Sequence, residues 1–376
     1  TTTTSTPTTS ATTTSPTTSV TTTSTPTTSV TTTSTPTTSA TTTTSTPTTS
    51  ATTTTTPTTP TIAVAPFDCS DPTNQLPLQI YRTSTSPLRF SLKPLTVTTG
   101  EYGDSLYEWD GSEPSDVDDT FSFMNSFAIH PTTLVIYGLV SIPSKADRYY
   151  LIRTDTTGTV EFVASVIRWS YAGTIDSAGR YLYSDATRLF IIAGVSTLRS
   201  YLTTDEVDAS ADPSAVLHQS GSEFFTYSAD GNIADWAAVS ADFDGLGAAD
   251  YLLGWSTSGR VHVIKYTGTG SPARKRATAS NADGGSLPSV AAGAGSAWIF
   301  NERVYVATNA NVGVWEILLD TVVWGPGGET DASVELRLVG SSAVTQVNDG
   351  LNCPSTSSPF ATCGDKDGAN NGADPN

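Results

Sequence analysis

The first sixty residues contain no charged and no aromatic side chain. They are Thr, Ser and Pro, relieved only by Ala11, Val20, Val30, Ala40 and Ala51. A segment of this kind has almost no apolar surface to bury and cannot offset the entropy of folding by itself. Phe67 is the first aromatic residue and Asp68 the first charge, and every Trp, Tyr and Phe of the chain follows. That second part carries enough apolar material for a packed core. The expected organisation is therefore an extended arm over 1–60, a folded domain over 61–353 and a polar Gly/Asp/Asn tail over 354–376.

The arm is periodic. Prolines stand at positions 7, 16, 26, 36, 47, 57 and 60, and the unit reads T-T-T-S-T-P-T-T-S-(A/V). β-Branched Thr and regular Pro keep such a chain near polyproline II. At ~3.1 Å per residue, sixty residues reach roughly 190 Å. A mucin-like stalk needs only this composition. It does not need one Val or Ala to return in each unit. That register predicts a periodic partner, of which the simplest is a row of identical subunits, with Val20, Val30, Ala40 and Ala51 as contact points. The chain has no N-x-S/T sequon, so glycans are expected to be O-linked to the arm, at positions such as Thr3, Thr12, Thr22, Thr32, Thr42 and Thr53.

The formal net charge of -18 sits wholly on the second part. Acidity of this size argues against nucleic acid as a partner, because phosphate contacts need clustered Lys and Arg. Arg274, Lys275 and Arg276 form the one basic cluster. They are read either as a grip on an acidic face of a neighbouring copy, or as a dibasic cleavage site, or as a solvated loop. No apolar run is long enough to span a membrane. The chain starts at Thr1 without methionine and is expected to be a processed, secreted product. Three cysteines are present, Cys69, Cys353 and Cys363. In a secreted setting a disulfide is expected. The pairing Cys69–Cys353 would tie the ends of one domain together, and Cys353–Cys363 is the alternative.

Past Pro66 the pattern is short runs of Val, Ile, Tyr, Trp and Phe with period-two stretches, split by Gly, Asp, Asn and Ser. Strands are predicted over 133–140, 149–153, 159–163, 180–183, 189–193, 260–266, 303–307 and 312–318. No capped helical segment competes, so the domain is all-β. A looser repeat recurs over 126–141, 172–185, 234–256 and 296–309, in which a small-residue turn precedes a strand with an aromatic centre. Spacings of about fifty to sixty residues suit the four-stranded blades of a β-propeller, with about five to seven blades. A β-sandwich is the alternative. The last strand is expected to close against the first, near Cys69 and Cys353, which would remove exposed sheet edges.

The stretch Asp242-Phe243-Asp244-Gly245-Leu246-Gly247-Ala248-Ala249-Asp250-Tyr251-Leu252-Leu253 resembles the FG-GAP blade motif of integrin-type propellers. Leu246 departs from it where a third acidic ligand is usual. Residues 125–137, 172–183, 297–317 and 348–353 resemble a family of secreted propeller-like domains found in large microbial surface proteins. That resemblance implies a fold and a surface location rather than a reaction.

Asp242, Asp244 and Asp250 are candidate Ca²⁺ ligands. The competing reading is a β-turn in which Asp and Gly serve only the geometry. Asp365-Lys366-Asp367-Gly368 repeats the D-x-D-G pattern in the tail, without the Glu of a complete calcium loop. The three His show no zinc spacing, and no G-x-S-x-G turn is present. Acidic residues are plentiful, but no feature selects two of them as a glycosidase pair. The chain is expected not to be an enzyme. It reads as a structural subunit of a glycosylated extracellular filament, with self-association as its main partnership. An adhesin or carbohydrate-binding propeller on a mucin-like stalk is the alternative.

Overall fold

The computed structural model describes residues 64–86, 88–110, 121–145, 148–166, 169–217, 223–227, 231–289, 294–309, 311–345 and 348–360. The arm, with its expected glycosylation and contact positions, lies outside the described residues, as do Cys363 and the second D-x-D-G at 365–368.

Alternating apolar residues fold into successive antiparallel meanders. The first holds β1 (Leu78–Thr85), β2 (Leu88–Thr96), the short β3 (Glu101–Tyr102) and β4 (Tyr107–Asp110). The second holds β5 (Phe123–Ile129), β6 (Ile136–Ser141), β7 (Tyr149–Thr154) and β8 (Val160–Val166). The third begins with β9 (Ala172–Ile175), β10 (Tyr181–Ser184) and β11 (Arg188–Ile192). A five-residue helix, α1 (Thr204–Asp208), and β12 (Val216–Leu217), which runs parallel to β8, precede its outer strand β13 (Phe225–Thr226). The fourth is β14 (Ala237–Ala241), β15 (Ala249–Trp255), β16 (Arg260–Lys265) and β17 (Ala273–Asn281). The fifth is β18 (Ala294–Phe300), β19 (Arg303–Thr308), β20 (Val314–Val323) and β21 (Ser333–Gly340). The last strand, β22 (Asn348–Leu351), returns to the first sheet and pairs antiparallel with β1, Leu78 opposite Leu351.

The innermost strands β22, β5, β9, β14 and β18 neighbour one another in that order, and β18 meets β22 again. The fold is a five-bladed β-propeller, within the range the repeat spacing predicts. A sandwich would have one core between two layers. Here five apolar clusters fill five seams. Leu92, Trp109, Phe127 and Tyr150 lie between the first and second blades. Tyr137, Leu151, Tyr183 and Phe190 fill the next seam, and Leu182, Leu189, Trp236 and Leu252 the one after. Tyr251, Trp255, Val306 and Trp315 join the fourth blade to the fifth, and Leu95, Trp298, Phe300 and Tyr305 close the ring. A ring of few blades opens wide wedges between them, and bulky aromatic side chains fill that space. At the narrow end the strands crowd instead. A Cβ on Gly173 would stand 2.5 Å from Ser126 Cβ, and one on Gly350 would stand 2.6 Å from the Ala297 backbone. Glycine at these two places is what lets neighbouring innermost strands approach.

Two devices complete the ring. The disulfide is Cys69–Cys353, with Cα atoms 5.6 Å apart across 284 residues of sequence. Residues 278–281 of β17 also pair in parallel with residues 333–336 of β21. The fourth and fifth blades thereby share one eight-stranded sheet that wraps nearly into a barrel around their common core. All eight strands predicted from the sequence fall on strands of the fold. The domain runs past the expected boundary at 353, because Phe360 is buried and stacks on Tyr305 at 4.2 Å.

Candidate functional site

The innermost strands all run the same way, and their C-terminal ends open into a funnel of about 590 Å³ on the propeller axis. Every blade contributes: Ile129, Ile175, Ser240, Ile299 and Leu351 line it. Its polar wall is built between the third and fourth blades. Asp176, at the β9–β10 turn, is almost fully buried. Its Oδ1 accepts from the backbone N–H groups of Ala178 (3.0 Å) and Arg180 (2.9 Å), which shapes the turn. Its Oδ2 accepts from Arg180 Nε at 2.6 Å and from the Tyr266 hydroxyl at 3.0 Å. Arg180 also reaches Asp250 and lies over the Tyr266 ring. Burial pulls the Asp250 carboxyl upward, but the Ser240 hydroxyl and the Arg180 guanidinium outweigh it and hold it below the usual range. One guanidinium shared by two carboxylates, with Glu302 on the rim, leaves the mouth acidic. Such a mouth suits a neutral or cationic ligand better than an anion.

Beneath the funnel floor lies a buried acid pair, Asp235 and Asp349. Asp235 Oδ2 accepts from the backbone N–H of Ala297 (2.6 Å) and of Gly350 (2.9 Å), and its Oδ1 from that of Trp236 (2.8 Å). Asp349 Oδ2 accepts from the Phe127 N–H. The pair thus collects backbone donors from four of the five blades. Burial, followed for Asp349 by the neighbouring charge, raises both carboxyl groups well above the ordinary Asp value, Asp235 to about 8. Asp349 Oδ1 is the one oxygen of the pair that no donor meets. The shared proton therefore belongs there, donated to Asp235, which is the direction in which their mutual hydrogen bond shifts the two groups. Sequence reading missed this pair because the residues stand 114 positions apart (349 − 235). Ser126, Asp235, Ser296 and Asp349 each immediately precede a residue whose backbone N–H donates to the pair.

The three candidate calcium ligands are not brought together. Asp242 Oδ1 accepts from the Gly247 N–H at 3.1 Å, as a turn residue does. Asp244 Oδ2 is bonded to the buried Lys265 Nζ at 2.5 Å, so an ammonium occupies the place a dication would take. Asp250 belongs to the funnel wall. Among the described residues no group of three or more His, Cys, Asp and Glu forms a metal site.

The basic run is also placed differently from the loop and the grip that its sequence suggests. It is neither a loop nor an exposed grip, but part of β17, with Arg274 and Lys275 buried. Arg274 Nη2 bonds Glu329 Oε2 at 2.6 Å, and Arg276 Nε stands 3.4 Å from the same oxygen. Lys275 Nζ donates to the carbonyls of Gly325 (2.7 Å), Gly327 (2.8 Å) and Gly328 (3.1 Å). These charges hold down the 325–329 loop. Lys275→Met is expected to destabilise the fold by about 1–3 kcal/mol, because it leaves those carbonyls without their donor. Hydrogen exchange should show the loss first in residues 325–331, and unchanged protection there would reject this role.

No protein-family model matches the chain, and no curated protein matches it. Among the described residues no helix is long and apolar enough to cross a membrane.

Proposed function

We propose that this chain is a structural subunit of a glycosylated extracellular filament, the propeller being the bead and the arm the thread. The observation that carries this reading is the arm's register, with one Val or Ala in each ten-residue or near-ten-residue unit. Ten extended residues span about 31 Å, comparable with a propeller-sized bead. A single Val or Ala contributes at most ~1–2 kcal/mol. Several on one tethered chain gain by becoming intramolecular after the first docks. Head-to-tail contacts of this kind do not close, so they build an open filament.

Register is useful only if the thread leaves the bead at a fixed point. The first described residues of the domain are tethered in the way this reading needs. The Ala65 N–H is bonded to Asp155 Oδ2 at 2.9 Å, the Phe67 N–H to the Leu134 carbonyl at 2.8 Å, and Cys69 is in the disulfide. The acid pair supports a non-catalytic reading. Three of its four oxygens are taken by backbone N–H groups, and it lies below the funnel rather than in it. Deleting one complete ten-residue unit is expected to preserve filaments seen by electron microscopy and to shorten the reach by one subunit. Deleting five residues should abolish them, and equal assembly of the two would reduce the arm to a stalk. Intact mass of the arm peptide should exceed that of bare polypeptide, reporting O-glycans.

The funnel favours a second reading, a propeller that holds a neutral polyhydroxylated ligand at its acidic mouth. Titration with neutral oligosaccharides tests it, with Asp250→Asn as the variant expected to lose binding.

A further inference from the structure

At the opposite end of the axis from the funnel, where the innermost strands begin, four aromatic rings gather on the seam between the second and third blades. Phe123 opens β5 and Tyr149 opens β7, and both sit opposite Ser141 in register, so their side chains share one face of the blade. Trp169, in the segment leading to β9, inserts its ring between them. Its centroid is 3.8 Å from Phe123 and 5.2 Å from Tyr149. Tyr171 then stands edge-on to Trp169 at 6.0 Å. Phe123, Tyr149 and Trp169 are half-buried and Tyr171 is 40% exposed. None of the five seam cores needs the Trp169–Tyr171 pair, which lies outside all of them.

We infer that this ledge docks a proline-bearing unit of the Thr/Ser/Pro arm of a second copy of the chain. The choice of occupant rests on the filament reading above, and three observations narrow it. First, the serine hydroxyls beside the rings are bonded to one another or to the backbone. Ser122 Oγ pairs with Ser141 Oγ at 2.7 Å, and Ser170 Oγ bonds the carbonyls of Ala172 and Ser184. A free sugar, whose own hydroxyls need partners, finds few there. A pyrrolidine ring needs none. Second, extended proline-containing segments dock on clustered aromatic rings because their conformation is already set, so little entropy is lost on binding. The chain carries such a segment itself, without a charged residue that would have to be matched. Third, the numbers agree. Each subunit offers one ledge and the arm one P-T-T core about every ten residues, so a row of subunits presents ledges as regularly as the arm presents these prolines.

The test uses the full chain and a synthetic, sugar-free peptide of residues 21–40, two complete units, fixed to a sensor surface. The variants are Tyr171→Ser, at the exposed ring, and Trp169→Leu, which keeps apolar volume under the ledge. The wild-type chain is expected to bind the peptide, Tyr171→Ser at least fivefold and Trp169→Leu at least tenfold more weakly, with unchanged thermal unfolding for Tyr171→Ser. A peptide with Pro26 and Pro36 replaced by Ala should bind as poorly as the variants do to the native peptide. Filament formation is scored in parallel. If wild-type filaments form and Tyr171→Ser and Trp169→Leu assemble and bind as well as wild type, the ledge inference is wrong while the filament reading stands. If no filaments form but the peptide binds in a Trp169- and Pro-dependent way, the ledge stands and the filament reading falls. Binding of free neutral sugars at Trp169 with no binding of the peptide overturns the inference in favour of a glycan platform.

Discussion

Replacing both Cys69 and Cys353 with alanine is expected to lower stability by about 4 kcal/mol, near the top of the range for a single disulfide. The bond spans 284 residues, and cross-linking so long a loop removes much of the freedom of the unfolded chain. β22 is four residues long, and among the described residues its pairing with β1 is the one strand ladder that joins the two ends of the domain. Releasing β22 would also withdraw Asp349 from beneath the funnel and leave the Phe127 N–H without its acceptor. The loss should therefore appear as a lowered melting temperature and as early hydrogen exchange in residues 78–81 and 348–351. A melt that is the same with and without reductant, in wild type and double variant alike, would show that strand pairing alone closes the ring.

The second large effect is a dependence on pH with an unusual sign. The folded carboxyl groups of Asp235 and Asp349 are raised by burial, Asp235 to about 8, and Asp349 also by the charge of Asp235. In the unfolded chain both titrate near the ordinary value for Asp, about 4. Between those limits the folded state holds the extra proton, so stability falls as pH rises through about 4 to 8. Below that window the opposite group acts. Asp155 and Asp244 are lowered: burial would raise them, but backbone N–H donors at Asp155 and Lys265 at Asp244 prevail, so their contribution is lost in acid. Maximal stability is expected near pH 4–5. Asp349→Asn should remove most of the downward slope and stabilise the protein above pH 7. The amide oxygen can still accept from Phe127, and the amide nitrogen can donate to Asp235 at any pH. Asp235→Asn should destabilise at every pH, because both Asp235 oxygens accept backbone N–H groups and an amide nitrogen cannot. Denaturant midpoints from pH 4 to 9 measure all three proteins. Parallel profiles for wild type and Asp349→Asn would refute the shared proton.

Much of the ring was legible from local pattern. The four repeat copies are the innermost hairpins of the second to fifth blades: β5–β6, β9–β10, β14–β15 and β18–β19. The copy in the first blade could not be read, because its two strands, β22 and β1, stand at opposite ends of the domain. Only the cysteines hinted at it. The basic run was misread for a related reason. Arg274-Lys275-Arg276 looks like solvent-facing sequence, and its burial is offset by Glu329 and glycine carbonyls some fifty residues downstream. Likewise the D-x-D-G turn looked like a cation loop because the ammonium that satisfies Asp244 comes from Lys265, on the next strand but one. In each case charge was visible and its partner was not. The funnel needed the whole ring, since it draws its lining from all five blades.

The position of the disulfide also decides how the molecule would carry a load. Tension applied between a point before Cys69 and a point after Cys353 has two routes, through the 284-residue span or across one sulfur–sulfur bond. The covalent route is far shorter and far stiffer, so it takes the force. The blades, the axis and the funnel hang on that line as a slack loop and feel almost none of the pull. A string of such beads would be as strong as its backbone and cross-link, whatever the folding stability of each propeller. The domain would keep its shape under strains that unravel one held by strand pairing alone.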